Sequence, residues 1–208
     1  MLDPSILILP SGCSVDLAKP HESHFDLKDI ARGLSNICRY GGQLPLFYSV
    51  AQHSVFVSRL CEQVATPGTK KPMAIWGLLH DASEAYIGDV IWPLKRMKEM
   101  SSYREVEYAI MEEIVKQFAL SPTEEPKLIG WADRCVMMAE ARDLRKDLYG
   151  DIIQDRVFTG SEIPWPQKVI QPLLPKPARE LFLERCAELG LTTDSAGGRG
   201  GCRAVGPR

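Results

Sequence analysis

A chain of 208 residues suits one domain, and 45% hydrophobic with 25% charged residues is the balance of a globular protein with a real core. A formal net charge of −2 argues against an electrostatic nucleic-acid binder, and no apolar run approaches the roughly 20 residues that a membrane span requires. The N-terminus, Met1-Leu2-Asp3-Pro4, lacks the basic region and apolar core of a secretory signal, and the six cysteines form no C-x-x-C pair, so reduced thiols and a cytoplasmic location are expected.

Two short β-prone runs, Ser5 to Leu9 and Ser14 to Leu17, flank a Ser-Gly turn and predict a small hairpin. Pro20 to Phe25 reads as a loop. Asp26 or Asp29 then caps a helix running to about Arg39, with Leu27, Ile30, Leu34 and Ile37 on one face and Gly41-Gly42 as its end. Leu46 to Val64 is a second helix whose apolar arc includes His53. A third starts near Pro72, where a missing N–H costs nothing, and is expected to run unbroken to Ile87 before Gly88. Trp92 to Lys95 is a loop or a single turn. Ser101 to Phe118 and Pro126 to Leu144 are amphipathic helices, Glu162 to Pro177 is a proline-rich loop, and Ala178 to Leu189 is the last helix. The fold class is therefore mostly α with one N-terminal β-hairpin. Residues 1–190 form a single domain, and the Gly/Ser/Arg-rich stretch 191–208 is expected to be a disordered tail.

The chemistry concentrates in His80-Asp81-Ala82-Ser83-Glu84, which follows an apolar run, and in Asp89 shortly after it. An uncompensated carboxylate next to core residues costs several kcal/mol, roughly, and a divalent ion compensates it well. On a helix, His80, Asp81 and Glu84 share one region of the surface. His53 and Asp133 stand on two other helices among apolar residues. Two imidazoles and two carboxylates from three helices suit Zn²⁺, Mn²⁺, Co²⁺ or Fe²⁺ and leave positions open for water or a phosphate oxygen. Taken singly, each residue has a plainer reading: a hydrogen-bonded core histidine, a surface pair for Asp133, a solvated Lys95, a packing Tyr40, a helix-end Arg39.

His53, then His80-Asp81, then Asp133 resembles the ligand pattern of the HD-domain phosphohydrolases. Further wording, Arg39-Tyr40-Gly41-Gly42, Tyr48-Ser49-Val50-Ala51-Gln52-His53 and Pro93-Leu94-Lys95, resembles the phage and prophage branch of that superfamily, over roughly residues 5 to 185. The resemblance implies an HD helical bundle in which His53, His80, Asp81 and Asp133 hold a divalent metal ion (Zn, Co, Mn or Mg). It implies that Glu84 and Asp89 are catalytic, contacting water or the leaving oxygen, and that Arg39, Tyr40 and Lys95 bind substrate. Ala85 after Glu84 argues against the signalling-nucleotide hydrolases of the group, and the absence of a Gly-Tyr-Pro tripeptide argues against the cyclic-dinucleotide branch.

The expected activity is metal-dependent hydrolysis of deoxynucleotides, foremost of dATP to deoxyadenosine and triphosphate. The alternatives are a 5′-nucleotidase on deoxynucleoside monophosphates and a non-catalytic nucleotide-binding protein. The expected partners are a small-molecule deoxynucleotide and further copies of the chain in a homo-oligomer, with neither nucleic acid nor membrane.

Overall fold

A computed structural model describes residues 4–145 and 165–192. It is mostly α-helical with a two-stranded antiparallel sheet at the N-terminus. Strands β1 (Ile6–Ile8) and β2 (Ser14–Asp16) pair with Leu7 opposite Val15, so that the fully buried Val15 points into the core. The tail expected at 191–208 falls, from residue 193 onward, outside the described residues, as does the beginning of the proline-rich loop; Leu191 itself is buried against the body.

The first helix, α1 (Leu27–Asn36), is capped by Asp26, whose carboxylate accepts from the Lys28 N–H at 2.7 Å. It ends three residues before the expected Arg39. The chain there leaves the helix to form an antiparallel bridge between Cys38 and Ser49, and Arg39 N–H donates to the Tyr48 carbonyl. Tyr40 and Gly41 then take the left-handed conformation, with φ of 59° and 61°. Such a φ is ordinary for glycine and uncommon for tyrosine.

Helix α2 (Val50–Val64) begins four residues later than its apolar pattern suggested, because Ser49 supplies the cap: its hydroxyl accepts from Gln52 N–H. α2 packs against α1, α3 (Lys70–Leu79), α7 (Lys127–Leu144) and α8 (Pro175–Glu188), which makes it the central helix of the fold. Gly77 lets α3 come this close, since a Cβ there would stand 3.0 Å from the Ser58 backbone. α1 meets the short α4 (Glu84–Ile87) still more closely at Gly33, where a Cβ would lie 2.6 Å from the Ala85 carbonyl oxygen. Buried Arg185 on α8 donates to Ser58 Oγ and to Glu62, both on α2.

The helix expected to run unbroken from Pro72 to Ile87 is interrupted. α3 stops at Leu79, and residues 80–83 form tight turns whose N–H groups reach back three residues: Ala82 to Leu79 and Glu84 to Asp81, both at 3.0 Å. Such i to i+3 bonding brings side chains three apart nearly into register. The single turn α5 (Trp92–Lys95) and the long α6 (Ser101–Gln117) follow, as the pattern predicts. α8 begins at Pro175, three residues before the expected Ala178, because both prolines fall in its first turn, where no intrahelical N–H is needed. Cys38, Cys61 and Cys186 carry free thiols, as expected; Cys13 is disulfide-bonded and departs from that expectation.

Candidate metal centre

Three elements converge on the interior end of α2. His53 comes from α2 itself, with no exposed surface; His80 and Asp81 come from the turn after α3; Asp133 comes from α7. His53, His80 and Asp133 each offer a ligand atom, and these atoms lie within 4.8 Å of one another, so the trio can hold a metal ion. The two imidazole rings are tilted at 49° with centroids 5.5 Å apart. Asp81 is the immediate neighbour of the trio, its Oδ2 3.0 Å from His80 Nε2.

In both histidines Nδ1 is taken by an acceptor. His80 Nδ1 lies 2.9 Å from the Gly77 carbonyl oxygen, and His53 Nδ1 lies 2.6 Å from Glu140 Oε1. Both Nε2 atoms therefore face the cluster. They come close to carboxylates, His53 Nε2 to Asp133 Oδ1 at 3.0 Å and His80 Nε2 to Asp81 Oδ2 at 3.0 Å. Neither contact has hydrogen-bond alignment, and both Nε2 atoms are buried without a hydrogen-bond partner. Buried ring nitrogens directed at carboxylate oxygens, without an aligned N–H between them, fit a cation at the point of convergence.

The electrostatics agree. Burial alone would lower the proton affinity of His80, but Asp81 foremost, with Asp133 and Glu125, more than reverses this and the imidazole is raised to about 9. His53 is also raised: burial and Arg39 oppose its charge, and Glu140 and Asp133 favour it more strongly. Asp133 and Asp81 are both held below the usual carboxylate range, as the neighbouring imidazoles overcome their burial. Such a site attracts positive charge, whether protons or an ion.

Around it stand the other residues singled out from the sequence. Glu84 is buried and its Oε2 has no hydrogen-bond partner. Burial, then the charges of Asp81 and Asp89, raise its proton affinity well above that of an ordinary glutamate. Asp89 is raised too, by burial first, with Arg39, Asp81, Lys95 and His53 all acting on it. Lys95 Nζ lies 2.5 Å from Glu107 Oε1 and 3.8 Å from Glu84 Oε1, so its ammonium is already shared between two carboxylates. Arg39 reaches two others, Glu140 Oε2 at 3.3 Å and Asp81 Oδ2 at 3.8 Å. Tyr40, expected to meet sugar or base, donates its hydroxyl to Glu140, and the guanidinium of Arg145 lies 4.8 Å from the centre of its ring.

Two acidic residues at this site were not anticipated. Glu140 has no exposed surface and bonds His53 and Tyr40; being seven residues beyond Asp133 on α7, it lies on the same helix face. Its position between Ala139 and Ala141 in an otherwise apolar stripe was the available signal. Glu125, in the loop before α7, acts electrostatically on His80, Asp81 and Asp133, and nothing in its polar surroundings in the sequence marks it. Separately, a cavity of about 450 Å³ beside Gln52, lined by Phe56, Arg59, Trp165 and Leu181 among others, includes none of the cluster residues. Among the described residues no helix is long and apolar enough to cross a membrane.

No model of a known protein family matches the chain. It is similar to the uncharacterized protein YfdR of Escherichia coli K12, with 37% identity over 163 residues, covering 78% of this chain and 83% of YfdR. It is also similar to an uncharacterized protein of Rhodobacter capsulatus, with 40% identity over 87 residues, or 41% of this chain and 44% of that protein.

Proposed function

The chain belongs to the same family as YfdR, and we propose that it is a metal-dependent phosphohydrolase of deoxynucleotides, acting foremost on dATP to release deoxyadenosine and triphosphate. The observation that carries the reading is the convergence of His53 Nε2 and His80 Nε2 on Asp133 and Asp81, with both Nδ1 atoms already bonded elsewhere. In this reading His53, His80, Asp81 and Asp133 hold the ion. A divalent ion there supplies Lewis acidity and makes water nucleophilic near neutral pH.

The remaining work falls to the chain's own side chains. Hydrolysis at the α-phosphorus forms a bond to a water oxygen and breaks the bond to the 5′-oxygen, so one proton must leave the water and one must reach the departing oxygen. Glu84 and Asp89 are carboxyls of raised proton affinity beside the cluster, suited to take up and pass on a proton. Arg39 is a fixed guanidinium at the same place, able to offset charge on the phosphoryl oxygens. Lys95 adds a second cation, held in place by Glu107. Tyr40 lends its ring to a substrate while its hydroxyl stays on Glu140.

The test is product analysis on the four dNTPs and the four dNMPs with Mg²⁺, Mn²⁺, Co²⁺ and Zn²⁺ in parallel. Deoxyadenosine and triphosphate from dATP, with dAMP untouched, is the expected result. Inorganic phosphate from dAMP with dATP untouched would replace this substrate by the monophosphates at the same site. Retention of metal with no turnover of any nucleotide would leave a binding protein and end the enzymatic reading.

A further inference from the structure

One imidazole at the cluster is gripped on both sides by a single helix. Asp133 and Glu140, two turns apart on α7, meet opposite nitrogens of His53: Asp133 Oδ1 lies 3.0 Å from Nε2 and Glu140 Oε1 lies 2.6 Å from Nδ1. The two carboxylates do different things. Asp133 meets its nitrogen without hydrogen-bond alignment, whereas Glu140 makes a true hydrogen bond. Glu140 is also the end of a chain of polar contacts from the loop after α1. Its second oxygen, Oε2, accepts from the Tyr40 hydroxyl and lies 3.3 Å from Arg39 Nε. A carboxylate beside a guanidinium, with a phenol donating to one oxygen, can only accept at the other, so the proton in the bond to His53 belongs on Nδ1.

We propose that Glu140 is a positioning residue for the metal ligand His53. It fixes the ring in the tautomer with hydrogen on Nδ1, leaving the Nε2 lone pair directed at Asp133 and His80, and it is itself held by Tyr40 and Arg39. The loop that carries these two residues, left-handed at Tyr40, is then a support of the metal centre. The inference rests on the metal reading given above for its consequence in affinity. The tautomer itself does not depend on that reading.

The experiment uses the full chain as wild type, Glu140→Gln and Tyr40→Phe. Co²⁺ affinity is measured by calorimetry, with the visible spectrum of the bound ion as a second signal. The His53 tautomer is read from long-range ¹H–¹⁵N correlation spectra of the metal-free, histidine-labelled protein at a pH where the ring is neutral. The expected result is an Nδ1–H tautomer for His53 in the wild type and a loss of that preference in Glu140→Gln. Co²⁺ affinity should fall about ten- to hundred-fold in Glu140→Gln, the usual cost of losing a ligand's outer partner, and less in Tyr40→Phe. An Nε2–H tautomer in the wild type would overturn the proposal, as would wild-type Co²⁺ affinity and spectrum in Glu140→Gln. If the wild type takes up no Co²⁺, the metal reading fails, and the tautomer spectra alone decide whether Glu140 positions His53. Should Glu140→Gln not fold, Tyr40→Phe carries the test, and unchanged Co²⁺ affinity and tautomer there count against the proposal.

Discussion

Oδ2 of Asp81 lies 3.0 Å from Nε2 of His80, the residue immediately before it in the chain. The pairing sits at the break after α3, where the tight turn instead brings Asp81 and Glu84, three residues apart, nearly into register. Asp81 is thus both the counter-charge of His80 and a candidate ligand beside it. Asp81→Asn should lower affinity for Co²⁺ or Mn²⁺ by more than the roughly ten- to hundred-fold loss typical of an outer-sphere partner. Calorimetric titration checks this, and near-normal affinity would remove Asp81 from the ligand set.

In the proposed metal centre, metal and protons would compete for the same nitrogens. His80 is raised from its ordinary 6.5 to about 9, so its contribution to the stability of the metal-free protein is complete below 6.5 and is lost as pH rises to about 9. Metal binding must expel that proton. Apparent affinity should therefore climb with pH through this window and level off above it, with protons released on binding at pH 7. Titrations in buffers of different ionisation heat measure the release; equal affinity at pH 7 and pH 9 with no proton release would contradict it.

Glu84 is strained electrostatically rather than sterically. Burial and the charges of Asp81 and Asp89 oppose its ionised form. Glu84→Gln removes that cost, so the variant should melt at a higher temperature than the wild type at pH 8 while still binding metal. Turnover should fall about 10²- to 10⁴-fold, the usual worth of a positioned acid or base. Such an exchange of activity for stability is common at catalytic groups. Full activity in Glu84→Gln would exclude Glu84 from proton transfer.

The site depends on two close helix approaches. Gly77→Ala would place a Cβ 3.0 Å from the Ser58 backbone and should cost about 1–3 kcal/mol, read from urea unfolding. Gly33→Ala meets the Ala85 carbonyl oxygen at 2.6 Å and should cost more. Because α4 carries Glu84 at its first residue, Gly33→Ala should also reduce turnover more than Gly77→Ala does. Equal and negligible effects of both would show that the helices separate freely.

Helix identity and order were legible because the apolar residues recur at helical spacing over long stretches, as in α2, α6 and α7. The hairpin was legible from two short β-prone runs that flank the turn at Ser11-Gly12. What periodicity could not show was the break at His80, since a tight turn and an α-helix use nearly the same backbone angles and differ in which carbonyl accepts. The end of α1 was missed for a related reason: Ile37 and Cys38 continue the apolar pattern but do so as extended chain bridged to Ser49. At the site, His53, His80 and Asp133 were readable as polar residues set among apolar ones, and the structure brings them together. Glu140 fits the same description but stands outside the ligand pattern, and only its bond to His53 singles it out. Glu107, which engages Lys95, is one acidic residue among several on α6, and only the three-dimensional arrangement singles it out.

The raised proton affinity of both imidazoles has a consequence for how the proposed centre would meet an ion. Two protons, one on each ring, carry the same charge as one divalent cation. In the proposed metal centre, protons on the rings would offset part of the acidity that the ion would otherwise meet, so loading would be an exchange of cargo within a finished cage. Small zinc-dependent domains, by contrast, have no fold to return to when stripped. Here a chelator should silence the protein without unravelling it, and re-addition of metal should restore it without refolding.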